Sequence, residues 1–237
     1  MMALLGFGTP TLGKRSAVPS TGRACFCFQL RAASEVAPET LLTASEDGTA
    51  RVWGDLGQPA ASELLSVQHS ADSNVKVLCA RFDASGLGIL TAGSDGYVRF
   101  WSARTGAALR YVRHEASGPC SVRSVQEFLF RGKKLVLTAA DDHTVRVWDE
   151  AGEEVERIEL VSTASFAVSA PIDGRQIHVL TAGTDGAVVL WRHSDLRAQV
   201  SERQALGSPD AAWEKVLELQ HSCSVQTARV YALSGAY

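Results

Sequence analysis

The sequence predicts an all-β repeat protein, and three observations carry that prediction. The first is one segment of fifteen residues written four times: LLTASEDGTARVWGD from Leu41, ILTAGSDGYVRFWSA from Ile89, VLTAADDHTVRVWDE from Val136 and VLTAGTDGAVVLWRH from Val179. The tryptophans near their ends, Trp53, Trp101, Trp148 and Trp191, are spaced by 48, 47 and 43 residues. Self-similarity at such a period marks a repeat architecture. The second is the turn signal inside each copy, Asp-Gly in three and Asp142-His143 in the third, set between alternating runs. The third is that no segment sustains a helical period.

Each copy supplies the middle of a four-stranded unit. It opens with an apolar pair, drops to small residues (Thr-Ala-Ser, Thr-Ala-Gly, Thr-Ala-Ala, Thr-Ala-Gly), turns, and alternates into an apolar-Trp end. Asp-Gly suits a type I′ turn, which needs φ > 0 at both central residues, and His143 would carry a left-handed cost of roughly 1 kcal/mol. Around the first copy, strands are expected at Cys25–Leu30 and near Glu63–Val67. The second unit reads Val75–Phe82, Leu90–Gly93, Tyr97–Trp101 and Ala108–Arg113; the third, Ser121–Phe130, Leu135–Ala139, Thr144–Trp148 and Glu154–Leu160. The fourth reads Ser165–Ala170, His178–Ala182, Ala187–Trp191 and, after an insertion from Asp195 to Trp213, Lys215–Gln220. Short strands with apolar residues on both faces suit sheets sandwiched between neighbours.

These copies resemble the WD-repeat β-propellers. Only Trp148-Asp149 is the literal dipeptide; Trp53-Gly54, Trp101-Ser102 and Trp191-Arg192 are variants of it. The resemblance implies blades of four antiparallel strands at about 25–68, 69–113, 114–160 and 161–220, with a partial blade at 221–237 starting at His221. Together they form one propeller domain, 25–237, behind an irregular segment, 1–24. It also implies a buried hydrogen-bonded chain of His, Thr, the turn Asp and Trp in each blade. Two sets are complete: His69, Thr91, Asp95, Trp101 and His114, Thr138, Asp142, Trp148. The first and fourth copies keep Thr43, Asp47, Trp53 and Thr181, Asp185, Trp191 without a matching His. A buried carboxylate must be paired, so these groups are read as structural rather than catalytic.

In this family the residue before the turn Asp faces the partner-binding top surface, which here means Glu46, Ser94, Asp141 and Thr184, a mildly acidic set. Arg51, Arg99 and Arg146 recur two residues before the Trp, on one strand face. They are expected to lie along the next blade and pair with a surface acid. Ile89–Arg104 is also similar to the adaptor-docking signature of cullin–RING substrate receptors, with Ser102 where an acid is expected; it makes Arg104 a candidate partner contact.

Bulk properties narrow the classes. A net charge of −3 at 237 residues gives no pull toward nucleic acid or anionic membrane. Five cysteines without a C-x-x-C pair make neither a disulfide framework nor a zinc site, which favours a cytoplasmic or nuclear setting. No apolar run reaches membrane-span length. No nucleophile–base pair, metal cluster or phosphate loop stands out, so no enzyme activity, cofactor or metal is expected. Residues 1–24, free of acids but carrying Lys14, Arg15 and Arg23, fit either a transit peptide or a remnant of a preceding blade. The charged insertion Asp195–Trp213 fits an exposed or partner-docking loop. Four full copies favour part of a ring, with completion by another chain or a small closed ring as the alternatives. The expected function is a scaffold for other proteins or peptides in a multiprotein complex. The alternatives are a cullin–RING substrate receptor and a scaffold subunit of an RNA-processing complex, without direct nucleic-acid or membrane binding.

Overall fold

Alternation and turn chemistry produce sixteen strands in the computed structural model, which describes residues 25–32, 39–58, 61–114, 120–130, 132–170, 177–193 and 213–225. The first sheet holds β1 (Cys25–Arg31), β2 (Thr40–Ser45), β3 (Thr49–Gly54) and β4 (Ser62–Gln68). The second holds β5 (Val77–Phe82), β6 (Gly88–Gly93), β7 (Tyr97–Ser102) and β8 (Ala108–Arg113). The third holds β9 (Val122–Phe130), β10 (Lys133–Ala140), β11 (Thr144–Trp148) and β12 (Glu154–Glu159). The fourth holds β13 (Ala164–Ala170), β14 (His178–Gly183), β15 (Ala187–His193) and β16 (Trp213–Gln220). Each sheet is an antiparallel meander in chain order, so the four are propeller blades. The segment 1–24, most of the insertion, and the fifth repeat beyond Val225 lie outside the described residues.

The hairpin turns differ from the expected type. The Gly48 amide donates to Ser45 O at 3.2 Å, so Glu46 and Asp47 are the central residues and Gly48 follows them. In these four turns Gly48, Gly96, His143 and Gly186 take positive φ (83°, 81°, 64° and 85°), and Asp47, Asp95, Asp142 and Asp185 do not. This is a type I turn closed by a left-handed residue, the three-residue hairpin loop, not the two-residue type I′. It leaves the Asp side chain free to fold back over its own turn.

A second correction concerns the insertion. Trp213, read as the end of a loop, is the first residue of β16. It is buried, with its ring edge-on to His193 at 4.8 Å. An apolar indole opposite His193 extends the β15–β16 ladder two residues beyond the expected start.

Packing runs in series: the first sheet on the second, the second on the third, the third on the fourth. The face bearing Thr and Trp always meets the preceding blade. Trp101 packs with Leu42 and Val52, Trp148 with Leu90 and Phe100, and Trp191 against Leu135 and Val147. The two middle strands of the second and third blades are largely shielded on both faces, and the outer strands β4, β8 and β16 are largely exposed. At the two ends of the series, apolar side chains of opposite faces are exposed: Phe28 and Leu30 on the Thr/Trp face of the first blade, Leu217 and Leu219 on the other face of the fourth. Among the described residues no helix is long and apolar enough to cross a membrane.

Candidate functional site

Inside the second and third blades the polar chain closes as the residue pattern implies. His69 Nδ1 lies 2.7 Å from Thr91 Oγ1 and its Nε2 lies 3.2 Å from Asp95 Oδ1. Trp101 Nε1 donates to the same hydroxyl at 2.8 Å. In the third blade the ring is turned over: His114 Nε2 meets Thr138 Oγ1 at 2.7 Å, Nδ1 meets Asp142 Oδ2 at 3.1 Å, and Trp148 Nε1 donates to Thr138 at 2.9 Å. A carboxylate calls for a donor, so the nitrogen facing Asp carries the proton, and the two histidines are opposite tautomers.

The electrostatics agree with neutral histidines between charged partners. Burial pushes His69 and His114 below the usual imidazole range, against the opposing pull of their aspartates. Burial would raise Asp95, but hydrogen bonds from His69 and Arg99 and their charges hold it at about 2. Asp142 is likewise held well below the carboxylate range: burial is outweighed by His114, Thr144 and Arg146.

The recurrent arginines belong to this chain of contacts, which corrects their expected placement. Arg51, Arg99 and Arg146 each reach the turn Asp of their own blade, Asp47, Asp95 and Asp142, at 2.8 Å. Arg146, buried, also contacts Glu154 at 3.1 Å. The left-handed residue at the turn brings the carboxylate back over the strand, so the nearest acid lies four residues upstream. The end blades are reduced. Trp53 and Trp191 still donate to Thr43 and Thr181 at 2.9 and 3.0 Å. Among the described residues Asp47 keeps Thr49 and Arg51 as partners, while Asp185 receives the Ala187 amide at 3.0 Å.

Since β2–β3, β6–β7, β10–β11 and β14–β15 turn at the same end of their blades, Glu46, Ser94, Asp141 and Thr184 share one rim. Each meets the approach to an inner strand. Glu46 pairs with Lys76, and Asp141 is bidentate with Arg123. Ser94 Oγ accepts the Lys76 amide at 3.0 Å, and the Thr184 and Thr163 hydroxyls are 2.9 Å apart. Lys76 and Arg123 were not singled out from the sequence; their recurrence after Val75 and Val122, where the inner strands begin, was the available signal. They neutralise both acids, so the rim is a band of paired charges rather than an acidic set. Arg104 does not join it. It sits exposed in the β7–β8 turn, at the opposite end of the blade, because consecutive hairpins of a meander turn at alternate ends.

Other reactive groups are accounted for by packing. His114, Cys120 and Asp142 place ligand atoms within 4.8 Å of one another, but both imidazole nitrogens are engaged and Arg146 brings a cation to Asp142. That donor set suits the structural chain better than a metal. Cys27 and Cys79 bring their sulfurs to 3.7 Å across the first two blades. The Cys79 thiol, with help from the Ala80 backbone, draws Cys27 down to about 6 against its burial.

Comparison with known proteins agrees with this architecture. A family model described as WD domain, G-beta repeat matches residues 62–102 and 110–149. The chain is 24% identical over 155 residues to cilia- and flagella-associated protein 52 of Mus musculus, covering 65% of this chain and 23% of that protein. It is 32% identical over 114 residues to ribosome biogenesis protein YTM1 of Pyricularia oryzae, covering 45% and 23%. It is 28% identical over 131 residues to telomerase protein component 1 of Rattus norvegicus, covering 52% and 5%. The chain thus spans about a quarter or less of the length of these relatives.

Proposed function

The chain is a WD-repeat protein, and from that premise we propose that it is a non-enzymatic scaffold that holds other proteins on the rim of its β2–β3-type turns. One observation carries this reading. The polar residues that recur in every repeat are spent on internal hydrogen bonds, whereas the residues that vary, Glu46, Ser94, Asp141 and Thr184, line one rim with Lys76 and Arg123. Variation on a rigid scaffold is how one fold serves many partners. Paired charges on such a rim select a partner by complementary polarity more than by apolar area. The names of the relatives, a cilia- and flagella-associated protein and a ribosome biogenesis protein, are consistent with a subunit of a large assembly in the cytoplasm or nucleus.

The test is affinity purification with quantitative mass spectrometry, comparing the wild type with the double variant Arg123→Ala, Asp141→Ala. Loss of specific partners at an unchanged melting temperature is the expected result. An identical partner set would overturn the assignment of the rim.

A second reading draws on Arg104. Its guanidinium is exposed on a turn at the opposite rim, open to a second partner. If the chain is a cullin–RING substrate receptor, Arg104→Ala abolishes co-purification with the adaptor and leaves the other rim's partners in place. A role as a subunit of an RNA-processing assembly would instead appear as co-purifying ribosome-assembly proteins.

A further inference from the structure

The fourth blade has the framework of the histidine relay and lacks its histidine. The backbone identifies the residue that stands in its place. The His69 amide donates to Gly48 O, the His114 amide to Gly96 O and the Leu160 amide to His143 O, at 3.0, 3.0 and 2.8 Å. Leu160 therefore occupies the relay position. Val189 likewise occupies the strand position held by Arg51, Arg99 and Arg146 in the other blades. Asp185 has thus lost both side-chain donors that Asp95 and Asp142 possess.

Beside Gly183 the Ser162 hydroxyl stands where His69 Nε2 stands beside Gly93, a smaller group than an imidazole ring. A cavity of about 80 Å³ lies between the third and fourth blades, lined by Leu160, Ser162, Thr181, Asp185, Val189 and Trp191. A single water needs only ~10–15 Å³, so the space exceeds what one water fills. The Thr181 hydroxyl is buried and already accepts Trp191 Nε1 at 3.0 Å, as Thr91 and Thr138 accept their tryptophans. In those blades the same hydroxyl also meets a ring nitrogen at 2.7 Å, with the turn carboxylate on the ring's other nitrogen. At the mouth, Lys215 is paired with Glu218 at 2.9 Å, which leaves Glu159 and Asp185 to give the opening a negative bias.

We propose that this notch is a binding site for an imidazole group, seated between the Thr181 hydroxyl and the Asp185 carboxylate as His69 and His114 are seated in their own blades. One ring nitrogen takes the Thr181 side and the other donates N–H to Asp185, the Ser162 hydroxyl turning aside to admit it. Trp191 forms the wall, as Trp148 does for His114. The group can arrive as a small molecule or as a histidine side chain of a partner polypeptide. The chemistry is the same in both cases. The site stands on the comparison of blades and does not depend on the partner-binding rim.

The test is a titration of the full chain with imidazole, followed through the Trp191 indole N–H in nitrogen-15 NMR spectra, the resonance being assigned with Trp191→Phe. A saturable shift of Trp191, with the Trp101 and Trp148 indoles unmoved, is expected. Neutral 1-methylimidazole, which has no N–H to donate, binds about tenfold more weakly, and so does imidazole to Asp185→Ala. Leu160→His should remove the titration by filling the notch from within. Competition by N-acetylhistidine amide would show that the site reaches a peptide-borne side chain, whereas a response to imidazole alone would restrict it to small ligands. No saturable shift of Trp191, or equal binding of 1-methylimidazole, would overturn the proposal and leave a hydrated gap. So would a titration in Leu160→His that matches the wild type.

Discussion

The third and fourth blades share their strand order and their Thr, turn Asp and Trp, yet they differ in what holds those groups. In the third, Asp142 is nearly enclosed and receives His114, Thr144 and Arg146. In the fourth, Leu160 and Val189 replace the two strongest donors, and Asp185 is exposed. The difference shows that the repeated Asp has two separable roles. Capping the turn needs only the amide two residues on, a bond kept at 3.1 Å in the third blade and 3.0 Å in the fourth. Anchoring the blade to the preceding loop needs the histidine. A blade can therefore lose the anchor, keep the turn, and expose a polar cavity where the ring would be.

The contrast can be broken most directly by making one substitution in both blades. Asp142→Ala should lower stability by about 1–3 kcal/mol, because it strands the buried His114 without its acceptor and takes one carboxylate from Arg146. Asp185→Ala should stay within ~0.5 kcal/mol, as a surface change does. Urea melts of the two variants decide it, and equal losses would refute the two roles. Next in size is Thr138→Val, expected to cost about 1–2 kcal/mol by leaving the Trp148 indole and the His114 ring without the shared hydroxyl. Thr181→Val, with only the indole to strand, should cost less in the same melts.

Acid sharpens the contrast more gradually. The folded pKa values of His69 and His114 lie below the usual 6.5, so the unfolded chain binds more protons and stability falls as pH drops below about 6.5. Asp95 and Asp142 are depressed from 3.8, so their contribution is lost in turn below about pH 4, for Asp95 down to about 2. Urea midpoints recorded from pH 7.5 to 2.5 should decline, and Asp142→Asn should flatten the part of the curve below about pH 4. Smallest is His143→Gly. It relieves a left-handed φ of 64° but loosens the unfolded chain, for a net gain under about 1 kcal/mol in the melting curve.

Much of the anchoring chemistry was legible in the residues. Thr91, Asp95, Trp101 and their counterparts recur at a fixed period, and a recurrent buried carboxylate implies donors nearby. The partner of each arginine was not legible. Placing Arg99 on the same strand face as Trp101 pointed to the adjacent blade, and only the left-handed third turn residue brings Asp95 back to it. The rim shows the same limit. Glu46 and Asp141 read as acids, but Lys76 and Arg123 approach them from the inner strands and cancel their charge. Arg104 could not be separated from the rim without knowing at which end its hairpin turns. The notch was hidden for another reason. His69 and His114 stand 26 and 28 residues before their aspartates, so a varying connection masks the equivalent Leu160.

By itself the sequence determined what depends on neighbours along the chain. Period-two alternation set the strands, the residue after each turn Asp set the hairpins, and recurrence set the Thr, Asp and Trp framework that the opening four copies announced. The tertiary structure decided what depends on residues brought together across blades. These are the seating of Trp148 on the second blade, the cancellation of the rim acids and the cavity against Trp191. Contacts between residues far apart in the chain depend on how blades stack, and local propensity carries no record of that stacking.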